Sequence, residues 1–307
     1  MHLYFAGIYA NGLVPGARTY LSLTPEERAA RDDILFHLES YHYIDNATKI
    51  RQIRRDKKTV FLDSGAFSAY TKGVEISVRD YVQYIKDNRD IIIDEDGALL
   101  ASVLDGIGDP LKTFQNQAEM ERLGVTPLPC FHYGEDERYL DFYIQHYPYI
   151  TLGGMVPISK PQLRLWLDRI WRDHLCDKDG KPKLKVHGFG MTSLDLMLRY
   201  PWHSVDSSSW VQVGSNGAVY TRSWGTVHVS EHAPSRKTEG RHYDTMPRPQ
   251  QEAFEAEIAA NGFTIKRLRE EYVSRWVYSI CTFNQIQREI LNKERVFKPE
   301  QEDLFAC

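Results

Sequence analysis

Three aspartates in this chain each stand at the end of a short apolar run: Asp63 in TVFLDSG (59–65), Asp105 in ASVLDG (101–106) and Asp206 in HSVDSSS (203–209). A carboxylate just beyond a buried strand is held rigidly and partly desolvated, which suits nucleophilic or general acid–base work. A single aspartate so placed is more often the cap of the next helix. Here the three are joined by His132 in PLPCFHYG (127–134), by Gly153 and Gly154 in ITLGG (150–154) and by Gly188 in LKVHGFG (184–190). Such glycines leave backbone amides bare, for flat approach by a planar ligand or capture of an anion at a helix start. As a set, these residues point to one shared site.

The elements that position them follow from the same pattern. With LYFAG (3–7) the apolar runs number seven, and amphipathic stretches such as VRDYVQYIKDNRDII, DERYLDFYIQHY and KPQLRLWLDRIWRDHL separate them. Strand then helix, repeated, predicts a parallel sheet with helical crossovers. The expected fold class is α/β, a TIM-like (β/α)8 barrel with a C-terminal helical extension, in which the loops after the strands form the active face. The eighth strand is not identified. AVYTRSWGTVHV (218–229), preceded by the turn Ser215-Asn216-Gly217, reads as a hairpin. Residues 231–250 read as a loop. From about 248 the apolar positions, among them Ile265, Leu268, Val273, Trp276, Val277, Ile280 and Phe283, follow a helical period. The expected division is a barrel over 1–245 and a helical extension over 246–307 packed on it.

Composition bounds the function. Of 307 residues, 42% are hydrophobic, enough for a full core. No run of about 18 apolar residues occurs, so no membrane span is expected. The opening MHLYFAGIYANG lacks the pattern of a secretion signal, and a cytoplasmic location is the expectation. Cys130, Cys176, Cys281 and Cys307 form no C-x-x-C pair; they are expected to be free thiols, with no metal and no cofactor. A net charge of −4 argues against a nonspecific nucleic-acid coat but leaves room for local basic patches. ATKIRQIRRDKK (47–58) carries Arg51, Arg54, Arg55, Lys57 and Lys58; PSRKTEGR (234–241) carries Arg236, Lys237 and Arg241.

The string Asp63-Ser64-Gly65-Ala66-Phe67 resembles the DSGGF/Y motif of the queuine and archaeosine tRNA-guanine transglycosylases, and the other strand ends fall in that family's order. The resemblance implies that Asp206 is the nucleophile, that Asp63 is the general acid/base or a base contact, and that Asp105 reads the guanine edge. It also implies that His132 stands where the family has a base-reading glutamine, that Gly153-Gly154 and Gly188 face the base, and that Ser64 and Phe67 contact it. The likeness covers roughly residues 55–210. The family's CxCxxC…H zinc insertion is missing, Ala66 replaces a glycine, and the segment after Asp206 is SSSWVQVG. A compact, zinc-free chain of this kind is similar to the phage 7-deazaguanine DNA transglycosylases. These are expected to exchange guanine in DNA for a base such as 7-cyano-7-deazaguanine through a glycosyl-aspartate, on a target that is flipped out or single-stranded. Trp210 is a candidate wall against the deoxyribose. Three other readings stand beside this one. The first is a transglycosylase acting on tRNA. The second is a phosphate-binding barrel isomerase or lyase with HGFGMTS as its phosphate loop. The third is a non-catalytic nucleic-acid-binding module.

Overall fold

The structure is a computed structural model that describes residues 1–298 except Pro157, Thr192, Pro234, Arg236, Lys237, Glu239 and Asn292. Arg236 and Lys237 of the second basic run, Thr192 of HGFGMTS and Cys307 therefore lie outside the described residues. The strands in chain order are β1 (His2–Ala6), β2 (His37–Ser40), β3 (Phe61–Asp63), β4 (Asp94–Glu95), β5 (Ala98–Leu99), β6 (Cys130–His132), β7 (Tyr149–Gly153), β8 (Lys185–Gly188), β9 (Ser204–Ser207), β10 (Ala218–Thr221) and β11 (Gly225–His228).

Seven of them form one curled parallel sheet in the order β3-β2-β1-β9-β8-β7-β6. Strands buried on both faces read as unbroken apolar runs, and β7 (YITLG) is buried at every position. Parallel pairing aligns the strand ends. His132 lies opposite Gly153, Leu152 opposite Gly188, His187 opposite Ser204 and Ser40 opposite Asp63. The helices Ala66–Thr71, Glu137–His146 and Lys160–Ile170 are among the crossovers.

The expected barrel of eight strands is corrected to this seven-stranded sheet. ASVLDG forms no strand. It makes only one isolated parallel bridge to each side, Leu62 with Ala101 and Ser102 with Leu128. Leu62 N donates to Leu100 O (2.9 Å) and Ser102 N to Leu62 O (2.9 Å), while Val103 N donates to Leu128 O (3.0 Å) and Leu128 N to Ala101 O (2.8 Å). The strand missing from the sequence reading is β2, HLES, whose polar residues His37 and Glu39 are buried. The hairpin at 218–229 forms as an antiparallel β10–β11 pair.

The chain divides into two compact units that interleave in sequence: Met1–Tyr4, Leu38–Asp206 and the chain after Leu291 in one, Phe5–His37 and Ser207–Leu291 in the other. The second unit is built on the helix Tyr272–Ile290, buried along most of its length. Against it lie the helices Ser209–Ser215 and Pro25–Asp32 and the strand β10. Glu27 there is fully buried and closes a capping box with Thr24. It also pairs with Arg267 (2.8 Å) and accepts from Ser274 Oγ (2.6 Å), so its charge is compensated. Trp210 is buried in this unit, donates to Ala6 O (3.1 Å) and meets Trp276 edge-on. It is a packing residue rather than a wall against a sugar. No helix among the described residues is long and apolar enough to cross a membrane.

Candidate active site

All the strand-end residues singled out above fall within the first unit, at the C-terminal edge of the sheet or in the turns that leave it. Asp63 ends β3. One carboxylate oxygen accepts from Gly65 N (3.1 Å), and Gly65 takes φ +74°; a Cβ there would strike Ser40 Oγ at 2.3 Å and His42 Cβ at 2.6 Å. Glycine is thus required for the turn that presents Asp63. Its carboxyl is pushed up to about 7, first by burial and then by the carboxylates of Asp105 and Asp206, while Gly65 N and the Ser40 hydroxyl pull the other way. The Asp105 and Asp206 carboxylates thus lie near enough to Asp63 to act on it through charge.

Asp206, in β9, is buried, and Gly190 N donates to its Oδ1 (2.8 Å). His187 Nε2 lies 3.4 Å from the same oxygen. His187 Nδ1 is 2.6 Å from Ser204 Oγ, which is 2.6 Å from Tyr149 OH. The imidazole is boxed by Phe61 and Phe189, each 4.6 Å away between ring centres, and burial lowers its pKa against the pull of Asp206. A neutral His187 thus stands behind Asp206, its tautomer tied to a buried hydroxyl pair.

On the other flank, His132 lies between two carboxylates. Nδ1 is 2.8 Å from Glu135 Oε1 and Nε2 is 3.5 Å from Asp105 Oδ1, and Glu135 Oε2 also accepts from His132 N (3.0 Å). Burial works against a charge on this ring. The neighbouring Cys130 sulfur, 3.4 Å away, and the Asp105 carboxylate outweigh it and hold the imidazole well above its ordinary value. Both ring nitrogens of His132 thus face carboxylate oxygens, Glu135 Oε1 and Asp105 Oδ1. Burial raises the Cys130 thiol. Asp105, Cys130 and His132 offer one ligand atom each within 4.8 Å, a carboxylate–thiol–imidazole set that zinc accepts.

The remaining residues are placed as follows. Ser64 is fully buried; its hydroxyl accepts from Ala66 N (3.5 Å) and its own N–H donates to Ser102 Oγ (2.9 Å), so it props the turn. Phe67 is 67% exposed, with Tyr70 one turn on, so it is no core residue. Gly153 leaves room for His132 and Cys130, which a Cβ would meet at 2.8 and 2.9 Å. Gly154 has φ +70° and abuts Tyr133 N. The space a side chain would take at Gly188 is filled by the Trp202 ring, 3.0 Å away. Of the first basic run, Arg54 is committed to Asp90 (2.7 Å).

Sequence reasoning did not find Glu135, His187, Ser204 or Tyr149 as parts of the site. Glu135 lies in a turn, where no periodicity marks it, three residues past His132. His187 was legible: it precedes Gly188 and alternates in β8 with the lysine at its start. Compared with the profiles of known protein families and with curated proteins, the chain matches none.

Proposed function

We propose that this chain is a base-exchange transglycosylase, replacing guanine in DNA with a 7-deazaguanine through a covalent glycosyl-aspartate. The observation that carries the reading is the pair of strand-end carboxylates, Asp63 and Asp206, with Asp105 near Asp63. Asp63 is raised to about 7, near the working pH, as a proton carrier must be. Asp206 has its Oδ1 held by Gly190 N, which leaves Oδ2 to attack C1′. In the forward step the Asp206–C1′ bond forms and the C1′–N9 bond breaks, with Asp63 giving its proton to the departing guanine. In the return step Asp63 takes the N9 proton of the incoming base, that nitrogen attacks C1′, and Asp206 is released with net retention.

The pocket's other groups suit recognition of a purine-like edge. Asp105 accepts N–H groups, and the His132 ring beside it adds a second polar edge. Exposed Phe67 and Tyr70, with Tyr43 beneath Lys72 (4.5 Å), offer ring faces and charge of the kind single-stranded nucleic acid uses. A phosphate loop at His187–Gly190 is disfavoured, because Gly190 N already serves Asp206 and an anion there would meet that carboxylate.

The test is incorporation of labelled guanine and 7-cyano-7-deazaguanine into matched DNA and tRNA over a range of salt. Label entering DNA is the expected result. Label entering tRNA alone would reassign the polymer, and label entering neither would remove the proposal.

A further inference from the structure

We propose that His2, Glu95 and His203 form a binding site for a divalent transition-metal ion, zinc by preference, remote from the carboxylate pocket. His2 is the first residue of β1 and His203 immediately precedes β9, so both lie at the N-terminal edge of the parallel sheet; Asp63, His132 and Asp206 lie toward the C-terminal edge. Glu95 reaches them from the β4–β5 hairpin. The three side chains come from segments far apart in sequence, and their ligand atoms all lie within 4.8 Å of one another.

Two imidazoles and a carboxylate with a fourth position open are a donor set typical of zinc. Bonds of ~2.1 Å in a tetrahedron place ligand atoms roughly 3.4 Å apart. His203 Nε2 and Glu95 Oε1 are 2.7 Å apart, and all three ligand atoms lie within 4.8 Å of one another, so only small movements separate them from a tetrahedral shell. Lys185 Nζ now sits on Glu95 Oε1 (2.7 Å), and Asp96 Oδ2 lies 2.8 Å from the same ammonium. A metal that takes the Glu95 oxygen leaves Lys185 paired with Asp96 as an outer partner that keeps the charge compensated.

Access is present too. His203 and Glu95 retain about a quarter and a fifth of their side-chain exposure, and a cleft of ≈ 630 Å³ is lined by His2 and His203 together with Lys181, Lys183 and Arg295. Lys181 is paired with Glu294 and Lys183 donates to His174 O, so part of the repulsion a bare cation would meet is already offset. The same cations favour a water or a small anion as fourth ligand.

The experiment uses the full chain, stripped with chelator and then titrated with zinc against a chromophoric competitor and with cobalt(II) followed by absorption. Wild type is expected to take up about one ion at this site, with a cobalt spectrum that lacks thiolate-to-metal charge transfer. Glu95→Gln, close to isosteric, and His203→Ala should each abolish that uptake. Zinc should raise the unfolding temperature of wild type but not of Glu95→Gln, which keeps the test valid if His203→Ala fails to fold. Cys130→Ser should keep the ion. The proposal is overturned if wild type takes up no ion or if uptake survives Glu95→Gln. It is also overturned if uptake is lost in Cys130→Ser with a thiolate band in wild type, which would place the metal at Asp105–Cys130–His132. Base exchange is not read out, so failure here leaves the transglycosylase reading standing.

Discussion

Replacing Asp63 by asparagine should make the protein more stable at neutral and alkaline pH while removing its activity. The carboxyl is raised from an ordinary 3.8 to about 7. The folded state therefore holds its proton over a range in which the unfolded chain has lost it, and stability falls as pH rises from about 4 to about 7. Above about 7 the folded protein carries the full penalty, whose ceiling for such a displacement is ~4 kcal/mol. Asp63 keeps some solvent access, which screens the penalty, so ~1–3 kcal/mol is the working expectation. The substituted amide retains an oxygen to accept from Gly65 N, so the turn itself should survive. The assay is urea unfolding of both proteins across about pH 4 to 9. Their free energies should converge at the acid end and separate in favour of Asp63→Asn as pH rises. Parallel curves, or a variant less stable than wild type at about pH 8, would refute the argument that burial and two neighbouring carboxylates strain this group.

Asp206→Asn should lower exchange by about three orders of magnitude or more while leaving the fold intact, and a protein–polynucleotide adduct trapped with wild type should be missing from the variant; undiminished exchange would remove Asp206 as nucleophile. The His132 ring, followed by its NMR resonances, should titrate above its ordinary value, and Asp105→Asn should lower that titration. An imidazole that titrates at its ordinary value in wild type would contradict the paired geometry. In the second unit, Gly214→Ala should destabilise by ~1–3 kcal/mol, because the new Cβ would lie 2.4 Å from Trp276 Cδ1. Thermal unfolding checks it, and an unchanged midpoint would mean that the tryptophan has room to move.

What the sequence disclosed and what it concealed divide along physical lines. The apolar runs that became β1, β3, β6, β7, β8 and β9 are short and flanked by glycine, aspartate or histidine, so hydrophobicity alone marks them. ASVLDG carries the same mark yet forms no strand, because pairing extends to a single bridge on either side, and the extent of pairing is not written in hydrophobicity. β2 was illegible for the opposite reason. A strand of four residues containing a buried histidine and a buried glutamate has no apolar signature, and its position between β3 and β1 is settled by pairing. The way the compact units interleave was equally hidden. That Phe5–His37 groups with Ser207–Leu291 depends on contacts such as Glu27 with Arg267 and Ser274, more than two hundred positions apart.

The site shows the same division at finer scale. Residue type and place at a strand end were enough to nominate Asp63, Asp105, His132 and Asp206, because a parallel sheet delivers every strand end to one edge. Their protonation was not legible, since it is decided by partners that the sequence does not place beside them. Asp63 is raised by burial and by two carboxylates 42 and 143 positions downstream, the differences 105 − 63 and 206 − 63. His132 is pushed up by Cys130 and Asp105 against the effect of burial, and His187 is lowered by burial in an apolar box and turned by Ser204. The glycines carry a related lesson. Gly153 and Gly188 were read as openings toward a ligand, but the room they leave is taken up by His132, Cys130 and Trp202. Their first effect is to let side chains approach the sheet: the absence of a Cβ at Gly153 is what admits His132 and Cys130, and at Gly188 the Trp202 ring.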